Sequence, residues 1–191
     1  MEVYECDGII YTVIPEDPIN VMAREFNERW LSDAYKRYMY IGEKEKIREK
    51  CPYLFLTINP NPHITLGEFV SIMTKMMTKP WINEYVYVFE QRGETEGECG
   101  KGFHFHAIIK KPTNKSYAHI LRELSSSANK VCDSSVANFF NIKNISEEEK
   151  ERKINYITGR KADEMKHAKQ EQDIPFRQRN NLLPFYNVGI I

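Results

Sequence analysis

The chain has 191 residues, of which 41% are hydrophobic, and 27 basic residues balance 27 acidic ones. A net charge of zero argues against a protein that coats nucleic acid through its overall field, though it leaves a local basic groove open. No apolar run approaches the ~20 residues needed to cross a bilayer, and the acidic start "MEVYECDGII" lacks the basic and apolar blocks of a signal peptide. Cys6, Cys51, Cys99 and Cys132 show no metal-type spacing and read as free thiols of a reducing compartment.

In chain order, "DGIIYTVI" (7–14) reads as a short strand, and "PEDP" then breaks the chain. Residues 19–48 carry apolar residues at helical spacing, interrupted near Gly42. "YLFLTINP" (53–60) is a strand closed by Asn-Pro. "LGEFVSIMTKMMTK" (66–79) is an amphipathic helix, with Phe69, Ile72, Met73, Met76 and Met77 on its core face. "EYVYVFEQR" (84–92) is a β-branched and aromatic strand. The polar, glycine-rich "GETEGECGKG" joins it to "FHFHAIIKK" in an antiparallel hairpin. A helix over "SYAHILRELSSSA", a strand within "SSVANFFNIKNI" and a long helical stretch from Ser146 to Gln172 follow. The tail "NNLLPFYNVGII" is too short to classify. This order predicts an α+β domain, a central antiparallel sheet with helices packed on it, after an N-terminal extension.

Strand alternation puts His104 and His106 side by side on one face, with Phe103, Phe105, Ala107 and Ile109 on the other. Two imidazoles at one spot suit a divalent transition metal but need a third ligand. Glu90, a carboxylate ending the apolar partner strand, can supply it. Gln91, Glu94, Glu96 and Glu98 are rivals if the loop bends back. Two histidines and one carboxylate with open positions suit Mn²⁺, Mg²⁺ or Co²⁺. His63, His119 and His167 read as surface or packing residues, and the methionine stripe as core. Basic residues gather at Lys110, Lys111 and Lys115, at Arg152, Lys153, Arg160 and Lys161, and at Arg177 and Arg179, the last two being phosphate contacts or merely solvated.

Three segments in order carry a resemblance. "FLTINP" (55–60) resembles the first motif of rolling-circle replication initiators, "FHFHAII" (103–109) the second, and "INYITGRK" (154–161) the third. The chain thus resembles the HUH endonuclease superfamily, and most of all the Rep nickase domain of small circular single-stranded DNA viruses. The resemblance covers about residues 50 to 170 and implies an HUH/RRM-like palm. It implies extension, endonuclease domain and tail over 1–49, 50–172 and 173–191. It implies Glu90, His104 and His106 as ligands of Mn²⁺ or Mg²⁺. Thr57 and Asn59 would support the site and touch single-stranded DNA, with Lys110 as a further DNA contact. Tyr156 would be the nucleophile of a nick-and-rejoin reaction through a 5′-phosphotyrosine.

The family's lysine three residues after the tyrosine is Gly159 here. On an unbroken helix Arg160 neighbours Tyr156 and Lys161 points about 140° away. If Gly159 loosens the turn, Lys161 swings in. The implied partner is single-stranded DNA at a replication origin, with host replication machinery and no membrane. The implied location is intracellular, in the nucleus for a eukaryotic virus and the cytoplasm otherwise. No Walker-type GxxxxGK[ST] occurs in the 191 residues. Two alternatives stand: a non-catalytic single-strand binder stacking bases on Tyr53, Tyr85 and Tyr87, and a transposase or relaxase of the same superfamily.

Overall fold

The structure, a computed structural model, describes residues 2–6, 9–13, 25–33, 50–159, 161 and 163–191. The chain forms two compact units, Met1–Ile47 and Arg48–Ile191. In the first unit the strand expected over 7–14 is half of a hairpin. β1 (Glu2–Cys6) pairs antiparallel with β2 (Ile9–Val13), with Tyr4 opposite Tyr11. Residues 25–33 (α1) are helical. The remainder of the helix expected over 19–48 lies outside the described residues.

The second unit holds β3 (Tyr53–Ile58), α2 (Leu66–Met77), β4 (Tyr85–Glu90), a 3₁₀ turn (Glu96–Glu98) and β5 (His104–Lys110). There follow α3 (Tyr117–Ala128), β6 (Phe140–Ile145), α4 (Glu147–Thr158), α5 (Glu164–Glu171), α6 (Asp173–Arg179) and β7 (Tyr186–Val188). Five strands form an antiparallel sheet in the order β6-β3-β5-β4-β7. The fold is the expected α+β class.

Alternation gives this sheet two buried faces. Leu54, Leu56, Tyr87, Phe89, Phe105 and Ile109 meet Phe69, Met73, Met76 and Met77 of α2 and Ile120 and Leu124 of α3. Tyr53, Phe55, Val86, Val88 and Ile108 meet Ile154 and Ile157 of α4. The stacking platform proposed from three tyrosines is therefore overturned. Tyr53 and Tyr87 are buried, on opposite faces, and Tyr87 stacks on Tyr186 at 4.5 Å.

The helical stretch from Ser146 to Gln172 is two helices. Ser146 and Glu149 form the capping box that starts α4, and Gly159 caps its end. Residues 173–191, expected to be a separate tail, belong to the second unit: β7 pairs with β4, and Phe176 of α6 is core. Cys51, Cys99 and Cys132 are free thiols. Among the described residues no helix is long and apolar enough to cross a membrane.

Candidate metal centre

The hairpin register sets Glu90 directly opposite His104, and His106 opposite both Val88 and Thr57. Opposed residues on adjacent strands bring their Cβ atoms to about 5 Å. Glu90 Oε2 lies 3.4 Å from His104 Nε2 and 3.7 Å from His106 Nε2. One potential ligand atom from each of the three falls within 4.8 Å of the other two, and all three side chains are buried. The rival acids are engaged elsewhere: Glu94 with Lys169, Glu96 with Arg179, and Glu98 with Lys101. Gln91 turns its side chain to the Gly93 and Lys169 carbonyls.

The far nitrogens of the two imidazoles are anchored. His104 Nδ1 lies 3.3 Å from the Gly102 carbonyl, which can only accept, so a proton held on Nδ1 would leave the Nε2 lone pair to a cation. His106 Nδ1 lies 2.9 Å from Thr57 Oγ1, a hydroxyl able to accept the same proton. Outer contacts of this kind orient metal-ligating histidines. The His106 ring also stacks on Phe55, at 5.5 Å between centroids. Burial, then the neighbouring His104, push the His106 imidazole down to about 3, so it is neutral at pH 7. Burial pushes the Glu90 carboxyl up, but its contact with His104 and the Lys161 ammonium outweigh burial and hold it down at about 2. A neutral imidazole beside an ionised carboxylate is the form that binds a cation. Glu90 Oε1 is buried with no hydrogen-bond partner among the described residues. This spare oxygen and the two imidazole lone pairs fit a divalent metal, and the group could bind one.

Tyr156 reaches the site from α4. Its ring lies 6.0 Å from the His106 ring, and the residue is 36% exposed. Lys161 Nζ sits 2.7 Å from Glu90 Oε2 and 4.8 Å from the Tyr156 ring centroid. Arg160 lies outside the described residues. Lys161 is in place because α4 stops at Gly159, and Gln170 of α5 then straps the turn: its Nε2 donates to the Gly159 carbonyl, and its Oε1 accepts from Lys161 N at 2.9 Å. A Cβ on Gly159 would meet the Asn155 carbonyl oxygen at 2.8 Å, so the turn would have to shift. Gly159→Ala should therefore cost about 1–2 kcal/mol in urea denaturation and release Lys161 from Glu90, read in the Lys161 side-chain NMR signal. An unchanged signal would show that the turn does not need glycine.

Thr57, Glu90, His104, His106, Tyr156 and Lys161 line one cavity of about 230 Å³, joined by Arg92, Lys166 and Lys169. Lys153 reaches over the Tyr156 ring at 5.6 Å. Arg92, Lys166 and Lys169 were not singled out: Lys166 and Lys169 follow the motif tyrosine on a lysine-rich stretch, and Arg92 reads only as the end of the strand that carries Glu90. Asn59 is close by but committed: its amide donates to the Asn138 carbonyl, and its oxygen accepts from Arg92 at 2.7 Å. Lys110 lies away from this cavity. It ends β5 six residues from His104, about 20 Å along the strand, and pairs with Glu84 at 2.7 Å. Arg177 is partly buried, with Nε donating to the Phe89 carbonyl, while Arg179 pairs with Glu96 on the surface. His167 faces Glu171, and His63 and His119 are exposed.

Compared with protein-family profiles, curated proteins and solved structures, the chain matches none.

Proposed function

We propose that this chain is a metal-dependent endonuclease that nicks and rejoins single-stranded DNA through Tyr156, a replication initiator of the HUH type. The observation that supports the reading most is one juxtaposition. A buried carboxylate and two imidazoles converge at the open end of a sheet, and an exposed tyrosine stands beside them on a separate helix. Core packing needs neither. Burying three such side chains together is costly without a ligand or partner to satisfy them.

Glu90, His104 and His106 would hold the cation. Two imidazoles favour Mn²⁺ over Mg²⁺, which prefers oxygen ligands. A bound ion would supply positive charge against a phosphodiester oxygen. The chain's own residues do the rest. Thr57 and the Gly102 carbonyl keep both Nε2 atoms turned inward. α4 holds the Tyr156 ring relative to the sheet. Its phenol gives up its proton to solvent as the oxygen attacks phosphorus; the bond from phosphorus to the 3′ oxygen breaks, and that oxygen takes up a proton from solvent to leave as a hydroxyl. The phosphotyrosine conserves the bond energy, so the hydroxyl can reverse the step and rejoin the strand. An unperturbed phenol has a pKa of ~10 and needs a nearby cation to act near neutrality. Lys161 is the cation within reach, and Lys153 is the next. Arg92 and Lys166 at the rim offer charge to the DNA backbone.

The test is direct. A pool of labelled single-stranded oligonucleotides is incubated with the protein and Mn²⁺, and a denaturant-resistant adduct is mapped by mass spectrometry. The expected result is Tyr156 joined to the 5′ phosphate of the downstream strand and an upstream strand ending in a 3′-hydroxyl, both abolished by EDTA and by Glu90→Gln. Binding with no cleavage in Mn²⁺, Mg²⁺ or Co²⁺ would favour the non-catalytic single-strand binder instead.

A further inference from the structure

β4 extends past its outer neighbour. β7 pairs with Val86 and Tyr87, yet β4 continues to Glu90, and the described residues supply no strand for that last stretch. Along β4 the even-numbered residues bond toward β5, as the flanking bonds from Lys110 N to Glu84 O and from Arg92 N to Lys101 O show. Phe89 and Gln91 therefore turn their backbone groups outward. Buried groups of this kind must find partners.

Two side chains of α6 supply them. Arg177 Nε donates to the Phe89 carbonyl at 2.9 Å, and Gln91 N donates to Asp173 Oδ1 at 2.9 Å. These are the residues immediately before and after Glu90. Asp173 and Arg177 lie four residues apart on the helix, 3.6 Å from each other; Asp173 is buried and Arg177 partly buried. Asp173 is only 1% exposed, and burial pushes its carboxyl up to about 6. Keeping a carboxylate in such a place is costly, and pinning a helix to a sheet requires no charge. Here an acid and a base continue the sheet edge where β7 stops, on both sides of one candidate ligand.

We propose that Asp173 and Arg177 are positioning residues for Glu90, fixing the backbone on either side of it so that its carboxylate stays against His104 and His106. Metal affinity then depends on a helix that contributes no ligand. This inference rests on the metal-binding reading above.

The experiment titrates the full chain with Mn²⁺ by electron paramagnetic resonance and measures the thermal midpoint of each metal-free protein separately. Asp173→Ala should bind Mn²⁺ about ten-fold more weakly than wild type or worse, the usual range for outer-contact losses at metal sites. Asp173→Asn keeps an oxygen that can accept from Gln91 N, so it should stay within about threefold of wild type. Arg177→Met, which keeps the apolar stem and loses the donor to Phe89, should weaken Mn²⁺ binding in the same direction. It carries the test if Asp173→Ala does not fold. Lowered midpoints with unchanged Mn²⁺ affinity would reduce the pair to a fold anchor and overturn the proposal. Asp173→Asn binding as poorly as Asp173→Ala would also overturn it. A wild-type protein that binds no Mn²⁺ would overturn the metal reading and this proposal together, whereas tight wild-type binding with indifferent variants overturns the proposal alone.

Discussion

Tyr156→Phe should form no covalent adduct with single-stranded DNA, a loss of at least ~10⁴-fold of the kind seen when a nucleophile is removed. The substitution deletes one oxygen and keeps the ring. The ring's neighbours are unaffected: His106 at 6.0 Å, and the ammonium groups of Lys153 and Lys161 over its face. Tyr156 is partly exposed, so the thermal midpoint should move little, by less than about 0.5 kcal/mol in stability. Mn²⁺ affinity should also be retained, because none of Glu90, His104 and His106 has changed. Loss of adduct with retained metal and DNA binding is the signature of a nucleophile. Normal adduct yield from Tyr156→Phe would remove Tyr156 from the chemistry, whatever became of the metal site.

His106→Ala has the second largest expected effect and acts on a different part of the site. It should lower Mn²⁺ affinity at least about a hundredfold, since it removes a proposed direct ligand rather than an outer contact, and nicking should fall below detection. The fold will feel it too. His106 is 6% exposed, stacks on Phe55 and bonds Thr57, so alanine leaves a cavity and a hydroxyl without its partner. That cost is about 2–3 kcal/mol. His106→Gln, which fills more of the space, separates loss of ligand from loss of packing.

A pH series adds a readout independent of activity. The folded imidazole titrates at about 3 against an ordinary value of 6.5. Below that ordinary value the unfolded chain takes up a proton that the folded chain refuses. The contribution of His106 to stability is therefore complete above pH 6.5 and is lost as pH falls toward 3. Both His106 variants should lose less stability than wild type between pH 7 and 5. Full Mn²⁺-dependent nicking by His106→Gln, or an unaltered pH profile, would exclude the assigned role.

The residues most legible in the sequence were those whose partners are close along the chain. Alternation alone puts His104 and His106 on one face, since their separation of two residues is a property of any strand. The α2 core face and the capping box at Ser146 are equally local, because helix period and cap geometry involve only a few neighbouring residues. Glu90 was harder. Its strand was readable, but its place opposite His104 depends on the register across a connection from Gln91 to Phe103, whose conformation composition does not encode. The glycine at 159 showed where α4 would weaken. That Lys161 then turns to Glu90 was decided by Gln170, a residue of the next helix that bonds to both sides of the break. Lys110 lies away from the cavity for the converse reason, since nearness in sequence to the histidines becomes distance along an extended strand. α6 and β7 escaped notice altogether. A seven-residue helix and a three-residue strand have too little periodicity to register, and each is held by tertiary contacts, the β4 edge for both and the burial of Phe176 for α6.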